Sequence, residues 1–109
     1  MAADGTTLDR LFATISSRKG GDAATSYTAK LFAEGRAKIA RKLGEEAVET
    51  TVAALSEGRE RVASESADLL YHLLVLWADC GVAPVDVWAQ LAAREGKSGI
   101  EEKKGRGPS

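Results

Sequence analysis

The chain holds one cysteine in 109 residues, almost no net charge, no long apolar run and no strand-like alternation, and each shortage removes a class of answer. Cys80 has no partner within the chain, which excludes an internal disulfide framework. It closes an apolar stretch, so a buried thiol in a reducing cytosol is expected, with no chemistry of its own. Lys and Arg total 15 against 16 Asp and Glu, giving a formal charge of −1. That balance points away from a broad nucleic-acid or membrane surface and leaves any electrostatic specialisation local. The longest apolar stretch, Leu69 to Ala78, is interrupted by His72 and is too short to span a bilayer. No basic-then-apolar segment opens the chain, so a soluble, cytoplasmic protein is expected. No internal repeat is present. The length suits a single domain, 1–109, with a polar tail from about 97 to 109.

What is present is helix. Thr6 or Thr7 can cap a first helix carrying Leu8, Leu11, Phe12 and Ile15, which ends near Lys19 before Gly20-Gly21. A short helix is predicted around Ser26 to Phe32, stopped by Gly35. Two long helices follow, one from Arg36 to about Leu55 and one from about Glu60 to Cys80, with Gly81 as breaker. Pro84 opens a last amphipathic helix bearing Val85, Val87, Trp88 and Leu91. The fold class is therefore all-α, with two long helices as scaffold and shorter ones flanking them.

Both long helices carry a narrow polar stripe on an otherwise apolar cylinder. Lys38, Lys42, Glu45, Glu46 and Glu49 fall within roughly 100° on the first. Ile39, Leu43 and Ala47 make one apolar side and Val48, Val52 and Leu55 another. On the second, Arg61, Glu65, Asp68, His72 and Asp79 share roughly 60°. Glu46 and Glu49 are one helical turn apart, as are Glu65 and Asp68, so each pair shares a face and repels. A single such cluster reads as well as a solvated face, with Lys42 paired to Glu45 and Glu46. Two clusters on adjacent apolar helices instead favour a cation held between them by Glu46, Glu49, Glu65 and Asp68. Carboxylates alone suit a hard ion, Mg²⁺ or Mn²⁺. Lys38 and Lys42 precede the acids on the same face, as a polyphosphate bridged to a metal requires. His72 is expected to satisfy a neighbour rather than a ligand, and Trp77 and Trp88 to serve the core or a subunit interface.

The pattern EExxE followed by ExxD, complete at Glu45, Glu46, Glu49, Glu65 and Asp68, resembles the MazG-like superfamily of all-α, Mg²⁺-dependent nucleotide pyrophosphatases. The segments Ser26 to Leu31, Lys38 to Glu46, Ala67 to Leu76 and Arg94 to Lys103 resemble its phosphoribosyl-ATP pyrophosphatase family, over nearly the whole chain. The resemblance implies Mg²⁺-dependent hydrolysis of 1-(5-phosphoribosyl)-ATP to 1-(5-phosphoribosyl)-AMP and pyrophosphate, the second step of histidine biosynthesis. On that basis Glu46, Glu49, Glu65 and Asp68 hold the metal. Glu45, or one of the ligands, orients or deprotonates the attacking water. Lys38 and Lys42 hold the triphosphate, while Lys30 with Arg18 or Lys19 reaches the phosphate at the ribosyl end, near hydroxyl donors Ser26, Tyr27 and Thr28.

Helices apolar on more than one side cannot all be covered in so small a chain, so a helical bundle completed by homodimerisation is expected, with Trp77 and Leu74 at the interface. The rivals are a relative that hydrolyses canonical or damaged (d)NTPs and a helical dimer that binds metal or nucleotide without turnover.

Overall fold

The computed structural model describes residues 2–96. The expected polar tail, including the 97–103 part of the family resemblance, lies outside the described residues. Among the described residues the secondary structure is entirely helical: α1 (Thr6–Ser17), α2 (Tyr27–Glu34), α3 (Arg36–Ser56), α4 (Arg59–Cys80) and α5 (Pro84–Ala92). Within them no single helix is long and apolar enough to cross a membrane.

Local chemistry sets the boundaries. α1 starts one step differently from the expectation: Gly5 takes the cap position and Thr6 is already helical. Asp4 does the capping, its Oδ1 accepting from the Thr6 amide at 2.9 Å while Thr7 Oγ1 accepts from the Asp4 amide at 3.2 Å. A carboxylate at that end also complements the helix dipole. Ser26 caps α2 by accepting from the Ala29 amide at 3.1 Å. Gly35, at φ +97°, ends α2 and begins α3 in a single residue. Gly81 closes α4 in the left-handed conformation, with the Val82 amide donating to the Trp77 carbonyl at 2.9 Å. Pro84 fits the first turn of α5, where Asp86 accepts from the Ala83 amide at 3.0 Å.

α3 and α4 pack as the principal helix pair; α1 lies on α4, and α2 touches both long helices. The core is Ile15, Leu31, Ile39, Leu74 and Val75, with Leu11, Phe12, Phe32 and Tyr71 packed around it. Leu74 is thus an internal residue rather than an interface one: it is 1% exposed and clusters with Ile15 of α1, Leu31 of α2 and Ile39 of α3. Trp77 also works within the chain, meeting Trp88 edge to face at 5.9 Å between centroids. Trp88 Nε1 donates to Asp9 Oδ1 at 3.0 Å, which ties α5 to α1. Cys80 is exposed, against the expectation of a buried thiol. It is the last residue of α4.

Two polar clamps fix the long pair. Near the start of α3, Arg36 Nε donates to Asp79 Oδ2 at 2.8 Å and its Nη2 to the Asp79 carbonyl at 2.9 Å. Near the opposite end, Thr50 Oγ1 lies 2.8 Å from the Glu46 carbonyl of its own helix and 3.2 Å from the Glu65 carbonyl of α4. Between them Ile39 is wholly buried. Ile39→Ala should therefore cost about 3 kcal/mol of unfolding free energy, measured by urea denaturation, with the denaturant slope unchanged.

Candidate metal and phosphate site

The acidic centre lies where the middle of α3 faces the first turns of α4. A ligand oxygen from each of Glu46, Glu49 and Glu65 falls within 4.8 Å of the others. Glu46 and Glu65 are buried and Glu49 is exposed, so the trio has a closed side and an open one. Glu46 Oε2 and Glu65 Oε2 are both buried without a hydrogen-bond partner. Orphaned carboxylate oxygens are costly, and converging ones more so. An all-oxygen donor set with two unsatisfied members fits a hard divalent cation, which would supply the missing counter-charge.

The protein supplies only part of that charge itself. Arg61, one turn before Glu65, donates to Glu65 Oε1 at 2.6 Å and lies 3.9 Å from Glu57. Sequence reading put Arg61 on the polar stripe but gave it no part in the site; its i,i+4 spacing to Glu65 was the available signal. A cavity of about 260 Å³ opens here, lined by Val48, Glu49, Val52, Glu57, Arg61 and Glu65. Burial raises the Glu65 pKa above its ordinary value; Arg61 opposes the rise, and the carboxylates of Glu49 and Asp68 reinforce it.

The other expected residues divide. Asp68 is exposed and outside the three-carboxylate group, although its charge acts on Glu65. Glu45 is turned away from the trio and half exposed, 3.3 Å from Lys42 Nζ and 4.0 Å from Arg41 Nε. That pair is the solvated-face arrangement, realised at Glu45 but not at Glu46. The Glu45 contact is the chief cause of a raised Lys42 pKa. Lys38 is half-buried and, like Lys42, precedes Glu46 on α3, at about 12 and 6 Å along the axis.

A second cavity, of about 300 Å³, is lined by Leu11, Thr14, Ile15, Arg18, Thr25, Ser26, Tyr27, Thr28 and Tyr71. It brings together Arg18 and the three α2 hydroxyl residues expected at the ribosyl end. Lys30 is exposed on α2. Lys19 goes elsewhere: its Nζ donates to the Ala78 carbonyl at 3.3 Å and sits 5.6 Å from the Phe32 ring centroid. Ala78 is 13 residues beyond Glu65, about 20 Å along α4. There the ammonium satisfies the Ala78 carbonyl near the negative end of α4.

Known proteins resemble the chain throughout. The family profile described as phosphoribosyl-ATP pyrophosphohydrolase matches residues 8–95. A protein of Paramagnetospirillum magneticum named phosphoribosyl-ATP pyrophosphatase is 67% identical over 106 residues, 97% of this chain and 97% of its own length. One of the same name from Azospirillum brasilense is 64% identical over 99 residues, covering 91% of this chain and 89% of that protein. Another, from Rhodospirillum rubrum, is 64% identical over 99 residues, 91% and 85% of the two chains.

Two outcomes test the electrostatics of the acidic centre. In chelator, Glu46→Gln should be at least as stable as wild type to heat, because it removes a buried, unpaired charge; adding Mg²⁺ should raise the melting temperature of wild type only. Glu65 has a folded pKa above its unfolded one, so its favourable contribution is present below the ordinary carboxyl range and is lost as pH rises through the raised value. The metal-free stability of Glu65→Gln relative to wild type should therefore increase with pH across that window in urea titrations.

Proposed function

Because this chain belongs to the phosphoribosyl-ATP pyrophosphohydrolase family, we propose that it hydrolyses 1-(5-phosphoribosyl)-ATP to 1-(5-phosphoribosyl)-AMP and pyrophosphate, the second step of histidine biosynthesis, in the cytoplasm. The observation that carries the reading to this chain's own residues is the pair of buried, unpartnered oxygens on Glu46 and Glu65 beside Glu49. Three carboxylates in that arrangement support an oxygen-ligated divalent ion, which we take to be Mg²⁺, with Mn²⁺ as a substitute. Asp68, one turn after Glu65 on α4 and electrostatically coupled to it, completes the proposed ligand set on the open side.

Held by Glu46, Glu49, Glu65 and Asp68, Mg²⁺ would neutralise charge developing on the leaving pyrophosphate and would lower the pKa of water. The remaining work falls to the protein. Lys38 and Lys42 bind the triphosphate along α3, and substrate competes with Glu45 for Lys42. Arg61 offsets the charge of Glu65 and limits the repulsion within the acidic centre. The attacking water adds to phosphorus as the α,β-anhydride bond breaks. Its proton passes to a carboxylate, either Glu45 or an exposed member of the ligand set such as Glu49. Arg18 and Ser26, in the second cavity, receive the phosphate at the ribosyl end; Lys30 stands on the same helix, and Lys19, occupied at the end of α4, is left out of this role.

We further propose a homodimer. The side of α3 carrying Val48 (63% exposed), Val52 (49%) and Leu55 (84%) is uncovered in one chain. A row of apolar side chains along one helix face is the kind of surface that a second copy buries. It also borders the first cavity, to which Val48 and Val52 contribute walls, so pairing would enclose the open side of the acidic centre.

The decisive assay is pyrophosphate release from phosphoribosyl-ATP, with and without Mg²⁺, beside dATP, dCTP and dUTP. Mg²⁺-dependent turnover confined to phosphoribosyl-ATP is expected. Preference for a dNTP would move the chain to nucleotide-pool cleaning, and no turnover of any substrate would leave a binding module. Glu49→Gln, folded by circular dichroism, should lose at least about 100-fold in kcat, the upper end of what outer-shell changes cost at metal sites; full activity would refute the ligand assignment. Light scattering should give a dimer mass at micromolar concentration, and Val52→Glu should shift it toward monomer.

A further inference from the structure

The reaction outlined above leaves the buried His72 without a task. His72 is the chain's single histidine and is 6% exposed. Its Nδ1 lies 2.8 Å from the backbone carbonyl oxygen of Asp68, one turn earlier on α4. A carbonyl only accepts, so Nδ1 carries the proton, and in the neutral imidazole Nε2 is left as an acceptor. Tyr27 Oη lies 3.1 Å from that Nε2. Nε2 can only accept, so the phenol donates its proton inward.

The imidazole cannot easily turn to change this. Tyr27 and Tyr71 both meet it edge to face, at 6.0 and 5.6 Å between centroids. The direction of the Tyr27 proton is thus set by a carbonyl on α4 through a fixed ring.

The three hydroxyls at the start of α2 consequently differ. Ser26 Oγ accepts from the Ala29 amide and keeps its own proton free for a ligand. Thr28 Oγ1 and Tyr71 Oη are hydrogen-bonded to each other in the interior. Tyr27 is 51% exposed, but with its proton committed it offers solvent only lone pairs. Sequence reading grouped all three as donors; the structure leaves Ser26 as one and turns Tyr27 into an acceptor. A phosphate needs donors and is repelled by a bare phenol oxygen. A sugar hydroxyl supplies the proton that Tyr27 lacks. The same cavity offers Arg18 and Ser26 to an anion, and in a phosphoribosyl group hydroxyls lie a few ångströms from the phosphate.

We propose that Tyr27 is a specificity residue that accepts a hydrogen bond from a sugar hydroxyl of the phosphoribosyl group, and that His72, held by the Asp68 carbonyl, is the positioning residue that fixes this polarity. The proposal rests on the hydrolysis of phosphoribosyl-ATP argued above. It separates a sugar phosphate from inorganic phosphate in a cavity whose charged groups alone would take either.

The test has a substrate-free arm and a kinetic one. With one histidine, ¹⁵N spectra of the wild-type imidazole should show protonated Nδ1 and unprotonated Nε2, with the Nε2 signal moved in Tyr27→Phe. Tyr27→Phe should raise KM for phosphoribosyl-ATP about five- to tenfold, the scale of one lost hydrogen bond, with a smaller change in kcat. It should weaken inhibition by ribose 5-phosphate and leave inhibition by inorganic phosphate unaltered. His72→Phe should match that KM change, the double variant should be no worse than either single one, and His72→Gln, which restores an acceptor, should recover most of the loss. Protonated Nε2 in an active wild-type enzyme overturns this proposal alone. Additive KM effects, or equal loss of ribose 5-phosphate and inorganic phosphate binding, do the same. A wild type that turns over no phosphoribosyl-ATP overturns the hydrolysis reading and this one together.

Discussion

The organising constraint is the burial of carboxylates in the seam between α3 and α4. Glu46 and Glu65 are each less than a tenth exposed, and one oxygen of each lacks a partner. Burying both acids with those oxygens unpartnered is costly. Arg61 balances one of three converging charges. The fold therefore carries an internal demand for positive charge, and a divalent ion meets it with the fewest atoms. On the proposed ligand assignment, function and stability are coupled at this point: the carboxylates whose burial is costly are the ones proposed to hold the metal.

The rest of the molecule keeps that seam in register. Arg36 and Asp79 fasten one end of the long pair, and the Thr50 hydroxyl lies between the backbone carbonyls of Glu46 and Glu65 at the other. The second contact is unusual in its economy, because the residues whose carbonyls it touches are the two whose carboxylates are buried. α1 and α2 cover the opposite face through Ile15 and Leu31. α2 thereby carries its hydroxyl residues to α4, where Tyr27 and Thr28 meet His72 and Tyr71. The two cavities, one acidic and one lined by Arg18 and hydroxyls, are thus held to one another by the α4 turns between Glu65 and His72.

Helix order and ends were readable because Gly35, Gly81 and Pro84 punctuate the chain with unambiguous conformational preferences. The acids were readable from their one-turn spacing. Individual orientations were less so. Glu45 and Glu46 are about 100° apart on the wheel, which is enough for one to face Lys42 in solvent while the other enters the seam. Lys19 looked like a phosphate ligand because composition cannot show that the end of α4 arrives beside it. Cys80 and Leu74 departed from expectation in opposite directions, because an apolar run says that a helix is covered and not which of its residues are. The polarity of Tyr27 was invisible in sequence, since it depends on a carbonyl oxygen that every residue possesses.

Gly35 alone separates α2 from α3, and its φ of +97° suits no other residue. No slack exists at that joint, so a residue inserted or deleted there would rotate the hydroxyl row of α2 away from α4 by about 100°. The spacing between α2 and α3 is therefore fixed by a single backbone conformation at Gly35.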